Sequence, residues 1–316
     1  MKTAVIGTGN MGKHHVRLLH KISSLVAISD VNEKKGTEFA EKYNCKYYKD
    51  YNEMLNKEEI DAISLAVPTN IHKKIALDII NKGINILIEK PIATTIEDAQ
   101  EIIDAAENNN VKLMVSHVER FNPAVIKLKD LIDKNELGKI NTIVARRVGV
   151  AGNPLTYEDV MLDLAVHDID IFNYLIKKQP NNVFSLNGNS GINKKNDYAD
   201  MLIDYGDTNA FLQVNWITPI KIRMLNVTGT KGYAELNYIT QELKLYKMEL
   251  IEDYDDYGEF VTRFGNPEER IFNIQKAEPL ELELKSFLRC IEKNTTPEVT
   301  GEDALNAIKI ILNASK

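Results

Sequence analysis

The chain has 316 residues, 44% of them apolar, and 46 acidic side chains against 39 basic ones give a formal net charge of −7. The length suffices for two domains with buried cores, and the scattered basic residues exclude a basic face for a nucleic-acid backbone. No apolar run in the sequence approaches the roughly 18 residues that are needed to cross a bilayer. The opening residues predict a strand instead of a secretory signal. We therefore expect a cytoplasmic protein with neither nucleic acid nor a membrane as partner.

The first 120 residues alternate short β-branched runs with helical patterns, which is typical of a parallel sheet with crossover helices. Strands are predicted over 3–6, 25–29, 62–67, 85–89 and 112–116, and helices over 71–83 and 94–103. The second helix opens close to a capping box, with Thr95 three residues before Asp98. We expect an α/β domain over residues 1–120, a Rossmann-type doubly wound parallel sheet.

From about residue 139 the segments become longer and alternate between apolar and polar residues. They predict strands over 140–150, 200–205, 209–218, 221–229 and 244–249, and a helix within 121–138 leads into them. We expect an α+β domain over 121–316 with an open, mainly antiparallel sheet.

The predicted sheet carries more apolar side-chain area than a sheet with one face in water needs. Phe211, Trp216, Ile217 and Met224 all belong to its strands. The open face is therefore expected to pair with a second subunit, as a homodimer or homotetramer. Burial by the chain's own helices is the alternative.

A glycine-rich segment, VIGTGNMG (5–12), follows the first predicted strand and precedes a helix. Gly7, Gly9 and Gly12 form G-x-G-x-x-G, in which the glycines permit a tight turn, a close pyrophosphate and close helix–strand packing. Asp30 ends the next strand, where a carboxylate accepts hydrogen bonds from a ribose diol and repels a 2′-phosphate. NAD is therefore favoured over NADP. The alternatives are a turn that binds nothing and an aspartate that caps the next helix.

Two further segments, VPTNIH (67–72) and IEKPIA (88–93), follow later strands, where a doubly wound sheet opens its ligand crevice. Lys90 precedes a proline that restricts its backbone, which aims one ammonium group into the crevice. Its position alone also fits a solvated strand end. His14 and His15 lie in the first turns of the helix after the glycines, where packing or solvent exposure is the favoured interpretation.

These segments together resemble the Gfo/Idh/MocA family over nearly the whole chain. The resemblance also rests on HVERFNPA (117–124), on D-x-x-x-H within LDLAVHDID (162–170) and on TGEDALNAIKII (300–311). It implies an NAD-dependent dehydrogenase that acts on a CH–OH group of a small molecule. The cofactor contacts implied are Gly7, Thr8, Gly9, Asn10, Met11, Gly12, Asp30, Pro68, Thr69, Asn70, His72, Glu89 and Lys90.

The D-x-x-x-H segment places Asp163, His167 and Asp170 at i, i+4 and i+7 of a helix, so they share a face from which Asp168 points away. The resemblance implies that Lys90, Asp163 and His167 meet the substrate and the nicotinamide. Neutral His167 would take the hydroxyl proton as hydride leaves. Asp163 would orient the imidazole or hold a neighbouring hydroxyl, and Lys90 would stabilise the developing alkoxide.

A metal ion is not required by this chemistry. The carboxylates and the histidine fall short of the usual three or four ligands, and Cys45 and Cys290 stand far apart without a CxxC partner. The same pattern, without the family resemblance, favours a helix that satisfies its own polar stripe.

The substrate expectation rests on HVERFNPAV (117–125), LDLAVHDIDI (162–171) and EPLELELKSFL (278–288). These segments resemble the branch that oxidises the 3-hydroxyl of UDP-N-acetylglucosamine and related nucleotide sugars. The resemblance implies substrate contacts by Arg120 and Asn122, and an arginine fork suits a diphosphate. An ion pair of Arg120 with Glu119, or an interdomain strut, is the alternative.

Several alternatives stay open at this point. Many free-sugar enzymes of the family carry glycines near the D-x-x-x-H aspartate, whereas this chain has Asp159, Val160, Met161 and Ala165, whose Cβ atoms would narrow the pocket. A dehydrogenase of free sugars or inositol is the second expectation. A catalytically silent NAD(H)-binding sensor is the alternative from another class, and a glycosidase that uses bound NAD is a further one.

Overall fold

The structure, a computed structural model, describes residues 1–150, 159–192, 195–247, 250–254, 260–264 and 267–314. The helices are α1 (Gly12–Ile22), α2 (Glu33–Tyr43), α3 (Tyr51–Lys57), α4 (His72–Ile80), α5 (Ile96–Asn108), α6 (Pro123–Asp133), α7 (Val166–Ile176), α8 (Pro279–Glu292) and α9 (Gly301–Ala314). Short 3-10 turns lie at Thr69–Ile71 and Val118–Phe121, and a π turn lies at Met161–Ala165.

The strands in the described parts of the chain are β1 (Lys2–Ile6), β2 (Ser24–Ser29), β3 (Lys46–Tyr48), β4 (Ala62–Leu65), β5 (Asn85–Glu89), β6 (Leu113–Ser116), β7 (Ile140–Val148), β8 (Asn182–Gly188), β9 (Tyr198–Asp204), β10 (Asn209–Asn215), β11 (Ile222–Gly229), β12 (Gly232–Asn237), β13 (Glu242–Lys247), β14 (Leu250–Tyr254), β15 (Phe260–Phe264) and β16 (Glu268–Ile271). No helix in these parts combines the length and the hydropathy that crossing a membrane requires.

The chain divides into two compact units. The first contains Met1–Val118 and Glu278–Lys309, and the second contains Glu119–Ala277 and the residues from Ile310 onward. The predicted division near residue 120 lies beside this boundary, but the predicted second domain also included the segment 278–309. That segment belongs to the first unit, where the backbone NH of Val115 donates to the carbonyl of Val299.

The first unit is built on a parallel sheet in the order β3-β2-β1-β4-β5-β6. Strands β4 and β6 are buried along their whole length, which is why three of the four residues in each strand are apolar. The predicted Rossmann sheet is confirmed, although the sequence did not predict the three-residue strand β3. The strand order reverses between β1 and β4, and a crevice for ligands opens beyond the carboxyl ends at such a point.

The second unit is built on an eight-stranded sheet in the order β16-β13-β12-β11-β7-β10-β9-β8. Neighbouring strands are antiparallel except for β10 and β7, which run parallel. The predicted open, mainly antiparallel sheet is confirmed. Exposed and buried residues alternate along β9 and β10, so one face of these strands packs into the core and the other stays open.

Candidate active site

The glycine turn after β1 has the geometry that a pyrophosphate requires. Gly7 has φ +90°, and a Cβ atom there would overlap the carbonyl oxygen of Ala66. A Cβ atom on Gly12 would overlap the carbonyl of Gly7, so this glycine lets α1 pack against the turn. Gly9 faces open space, where a ligand can approach the backbone closely.

Asp30, at the end of β2, is held in one orientation by the glycine turn. Its Oδ2 accepts hydrogen bonds from the backbone NH and the hydroxyl of Thr8, at 2.6 and 2.7 Å. Its Oδ1 accepts from the backbone NH of Asn32 at 2.8 Å. Helix α2 is capped by Asn32, whose side chain accepts from Lys35, so Asp30 is not the cap of that helix. Its fixed carboxylate is suited to a ribose diol.

A cavity of about 330 Å³ lies against these residues in the first unit. Gly7, Gly9, Asp30 and Pro68, four of the predicted cofactor residues, line it. Ile71, in the predicted crevice segment VPTNIH (67–72), also lines it. The sequence did not single out four other lining residues, which follow the ends of β2 and β3 or lie on α3 and α4: Val31, Lys49, Tyr51 and Lys74. Their position after strand ends is the signal that could have identified them. The glycine turn, Asp30 and this cavity fit the dinucleotide that the motif predicts.

Glu89, at the end of β5, belongs to a buried hydrogen-bond network. His15, which is completely buried, has its Nε2 2.8 Å from Glu89 Oε1 and its Nδ1 2.7 Å from Ser64 Oγ. Ser116 Oγ lies 3.2 Å from the same Glu89 oxygen and 2.8 Å from Glu283 Oε2. Burial alone would raise the pKa of Glu89, but the hydrogen bond and charge of His15 and the charge of Lys90 hold it below its ordinary value. The network thus fixes the residue that precedes Lys90.

His72 joins the segments that follow β4 and β5. Its ring nitrogens lie 2.9 Å from the carbonyl oxygen of Val67 and 3.1 Å from that of Pro91, and burial lowers its pKa. Of its predicted neighbours in the cofactor set, Thr69 is buried, whereas Asn10, Met11 and Asn70 are exposed. Lys90 is half-buried at the end of β5. The contacts predicted for these side chains with a cofactor stay predictions.

In the second unit, the π turn Met161–Ala165 carries Asp163, and α7 carries His167. Asp159 Oδ1 accepts from the backbone NH groups of Met161 and Leu162, both at 3.0 Å, and starts this turn. Asp163 Oδ2 accepts from Trp216 Nε1 at 3.2 Å, and both Asp163 and His167 are half-buried. The sequence predicted an α-helix through Asp163. The wider π turn is a feature that often accompanies functional sites.

The other two aspartates of this segment form buried ion pairs. Asp168, expected to point away from the reactive face, is completely buried and lies 2.5 Å from Arg147 Nε. Asp170 accepts from Arg120 Nε at 2.8 Å and from Arg120 Nη2 at 2.6 Å. A buried charge needs a partner, so each of these ion pairs stabilises the packing of α7 against the segment that carries the arginine.

Arg120 and Asn122, the predicted substrate contacts, are both buried. The pair of Arg120 with Asp170 occupies one edge of its guanidinium, while Glu119 pairs with Arg147 at 3.0 Å. The Asn122 side chain caps α6 by accepting from the backbone NH of Ala124 at 3.1 Å. A substrate role of either residue stays a prediction.

Three of the residues that stand where the family has glycines lie in the interior. Val160, Met161 and Ala165 are completely buried. Their side chains therefore fill space that glycines would leave open, and the narrowing of a pocket wall stays a prediction. Among the described residues, no group of three or more His, Cys, Asp or Glu side chains is placed to hold a metal ion.

A parallel sheet with a glycine turn and a fixed strand-end carboxylate defines the first unit as dinucleotide-binding. Residues 1–117 match the Gfo/Idh/MocA family, described as an oxidoreductase family with an NAD-binding Rossmann fold, and residues 129–316 match its C-terminal α/β domain. The chain belongs to the Gfo/Idh/MocA family and is an NAD-binding oxidoreductase.

Relatives of this chain are named dehydrogenases. UDP-N-acetylglucosamine 3-dehydrogenase of Acidithiobacillus ferrooxidans is 27% identical over 78% of this chain and 77% of that protein. Myo-inositol 2-dehydrogenase of Thermotoga maritima is 25% identical over 100% of this chain and 96% of that protein. Among solved structures, the Acidithiobacillus enzyme has a TM-score of 0.88 at 23% identity, covering 100% of this chain and 97% of that one, which shows the fold.

Proposed function

We propose that this protein oxidises a secondary hydroxyl of a nucleotide sugar, with NAD as hydride acceptor. The substrate proposed is a UDP-N-acetylhexosamine or its uronic acid, and the position is the 3-hydroxyl. The observation that carries the proposal is the half-buried pair Asp163 and His167 on the π turn and the first turn of α7. The likeness to a UDP-N-acetylglucosamine 3-dehydrogenase over 78% of this chain supports the choice of substrate.

The proposed chemistry uses one base, one orienting carboxylate and one cation. Neutral His167 takes the proton of the hydroxyl while the hydride leaves the same carbon for NAD, so the alcohol becomes a ketone. Asp163, held by Trp216, orients the imidazole or a neighbouring hydroxyl. Lys90 stabilises the negative charge that develops on the hydroxyl oxygen, and its position follows from the network that fixes Glu89.

A dehydrogenase of inositol is the second candidate. The Thermotoga maritima myo-inositol 2-dehydrogenase matches the whole of this chain, although at 25% identity. The two candidates differ in charge, since a nucleotide sugar carries a diphosphate and inositol is neutral.

The variants Lys90→Met and His167→Asn test the proposed roles with UDP-N-acetylglucosamine as substrate. Each is expected to lower kcat by at least about a hundredfold, because each removes a group that acts mainly in the transition state. The Kd for NAD of His167→Asn, measured by protein fluorescence, is expected to change little, because His167 is not among the predicted cofactor contacts. Unchanged turnover in both variants would contradict the proposed mechanism.

We also propose that the open face of the second unit's sheet pairs with a second copy of this chain. The register places Val144, Phe211, Leu202 and Phe184 side by side across β7, β10, β9 and β8, and all four are exposed. On the same face, Arg146 donates to Gln213, which donates to Asp200, so opposite charges flank the apolar row. In a dimer with a twofold axis, the apolar row of one copy can pack against the same row of the second copy, and the opposite charges can pair across the interface.

A further inference from the structure

Two arginines lie opposite each other on the inner face of the second unit's sheet. Arg147 of β7 and Arg223 of β11 are direct partners in the antiparallel register. Arg147 is buried and compensated, because Asp168 lies 2.5 Å from its Nε and Glu119 lies 3.0 Å from its Nη1. The charges of Asp168 and Glu119 outweigh burial and hold the pKa of Arg147 above its ordinary value.

Arg223 differs from Arg147 in its partners. Its Nη1 donates to the carbonyl oxygens of Val148 at 2.6 Å and Ile222 at 2.8 Å, which fixes the guanidinium. Within the described ranges, no carboxylate lies within ion-pair distance of it, and its Nε and Nη2 have no acceptor. Two of the carboxylates near Arg223, Asp168 and Glu119, pair with Arg147 instead. The guanidinium of Arg223 is thus a half-buried cation that is fixed in place, and the edge formed by Nε and Nη2 can still donate hydrogen bonds to a ligand.

The environment of Arg223 indicates what this edge can bind. Burial, together with the neighbouring charge of Arg147, lowers the pKa of Arg223 to about 10, against the opposing charges of Asp168, Glu119 and Asp163. The group remains a cation at neutral pH. An anion with two acceptor oxygens would complete the hydrogen bonds of this guanidinium.

Arg223 also lies near the candidate catalytic aspartate. The charge of Asp163 acts to raise the pKa of Arg223, and Asp163 accepts from Trp216 one residue after β10 ends. Val148, whose carbonyl anchors Arg223, is the register partner of Asn215, the residue before Trp216. The available edge of the arginine therefore belongs to the same part of the second unit as Asp163.

We propose that Arg223 binds an anionic group of the substrate through Nε and Nη2. The chemistry is an oxyanion with two acceptor oxygens, which is either the carboxylate of a sugar acid or the diphosphate of a nucleotide sugar. This inference rests on the proposed function, because it assigns the charged part of that substrate. It makes Arg223 a specificity-determining residue that distinguishes nucleotide sugars from neutral polyols.

The test compares Arg223→Met and Arg223→Lys with wild type, and Arg270→Met serves as the matched control on the exposed edge strand β16. KM and kcat are measured with UDP-N-acetylglucosamine and with its uronic acid. Loss of a charged fork is expected to raise KM for the anionic substrate by about a hundredfold. Arg223→Lys should recover only part of this, because lysine lacks the planar fork. The KM values of the Arg270→Met control should stay near those of wild type.

The pattern across substrates identifies the anion. An effect on the uronic acid alone indicates its carboxylate, and an equal effect on both UDP-sugars indicates the diphosphate. Equal KM values for wild type and both Arg223 variants, with an unchanged Kd for NAD, would overturn the inference.

A separate titration distinguishes failure of this inference from failure of the proposed function. Wild type and the Arg223 variants are titrated with inorganic pyrophosphate and with glucuronate, by calorimetry and without turnover. Tighter binding of either anion by wild type supports Arg223 as the anion site even if UDP-sugars are not oxidised. Equal binding by wild type and by Arg223→Lys, a variant that keeps the charge and the fold, would contradict it.

Discussion

Asp30 and Glu89 are carboxylates at the carboxyl ends of parallel strands, and both are oriented by side chains that follow β1. Thr8 donates twice to Asp30, and His15 lies 2.8 Å from Glu89. The motif indicated where these carboxylates stand in the chain. It did not indicate their partners, because a hydrogen bond between residues far apart in sequence leaves no local pattern. His15 was expected to pack or to face solvent, and its link to Glu89 was missed.

Replacing Asp30 tests the cofactor end of the site. Asp30→Ala removes the carboxylate that is fixed beside the cavity, so we expect NAD binding to weaken about tenfold. The preference for NAD over NADP should narrow, because the charge that repels a 2′-phosphate is lost. Fluorescence titration with both cofactors measures this, and Asp50→Ala, at the cap of α3, is the control. An unchanged ratio of the two Kd values would contradict the assignment.

Replacing His15 tests the buried network. His15→Leu leaves Glu89 buried without its histidine partner, and we expect the free energy of unfolding to fall by roughly 2–4 kcal/mol. His14→Leu, one residue earlier on α1 and less buried, is the matched control, with an expected change of about 0.5 kcal/mol. Urea unfolding at neutral pH gives both values. Equal decreases in the free energy of unfolding of the two variants would show that the buried network makes no specific contribution to stability.

The helix α8 shows what periodicity predicts and what it leaves open. Its apolar stripe, with Leu280, Leu284 and Phe287 buried, indicates a packed helix, but a stripe does not name the surface that it meets. The sequence therefore assigned α8 to the second domain, whereas it belongs to the first unit. Glu283, completely buried on the same helix, accepts from Ser116 of β6.

The contact between α8 and α1 predicts a pH-dependent contribution to stability. Hydrogen bonds from Lys21 and Lys285 lower the pKa of Glu281 from 4.5 to about 2. Because the folded pKa is the lower one, Glu281 stabilises the fold above its unfolded pKa, and this contribution disappears as pH falls through the folded pKa. Glu281→Gln should cost about 1 kcal/mol at neutral pH, since both lysines are largely exposed. Urea unfolding from pH 7 down to pH 2 should show this difference vanish; a constant difference would contradict it.

Strands were predicted well where burial dictates their composition. Mostly apolar runs predicted the parallel strands β1, β2, β4, β5 and β6. Alternation of apolar and polar residues predicted β7, β9, β10, β11 and β13. β3 is too short for a pattern, and β12, which begins at Gly232, was not predicted, because glycine is typical of turns. The π turn at Met161–Ala165 was missed because a wider turn changes no residue type.

At the scale of the whole molecule, the row of exposed apolar residues predicts self-association. Phe184→Glu places a charge in this row, so we expect the dimer or tetramer to dissociate into monomers. Light scattering after size-exclusion chromatography measures the mass. Ile126→Glu, at an exposed position on α6, is the control and should leave the mass unchanged. A monomeric wild-type protein would contradict the proposed pairing.

The most direct test of the central claim is NADH formation by the purified protein with excess NAD. Separate reactions contain UDP-N-acetylglucosamine, its uronic acid, myo-inositol or glucose, each with and without a 2-oxo acid to reoxidise a retained cofactor. The account predicts ketone formation from the UDP-sugars alone, or turnover that depends on the oxo acid if NAD stays bound. Oxidation of myo-inositol or glucose in preference, or NAD binding without oxidation of any substrate, would contradict it.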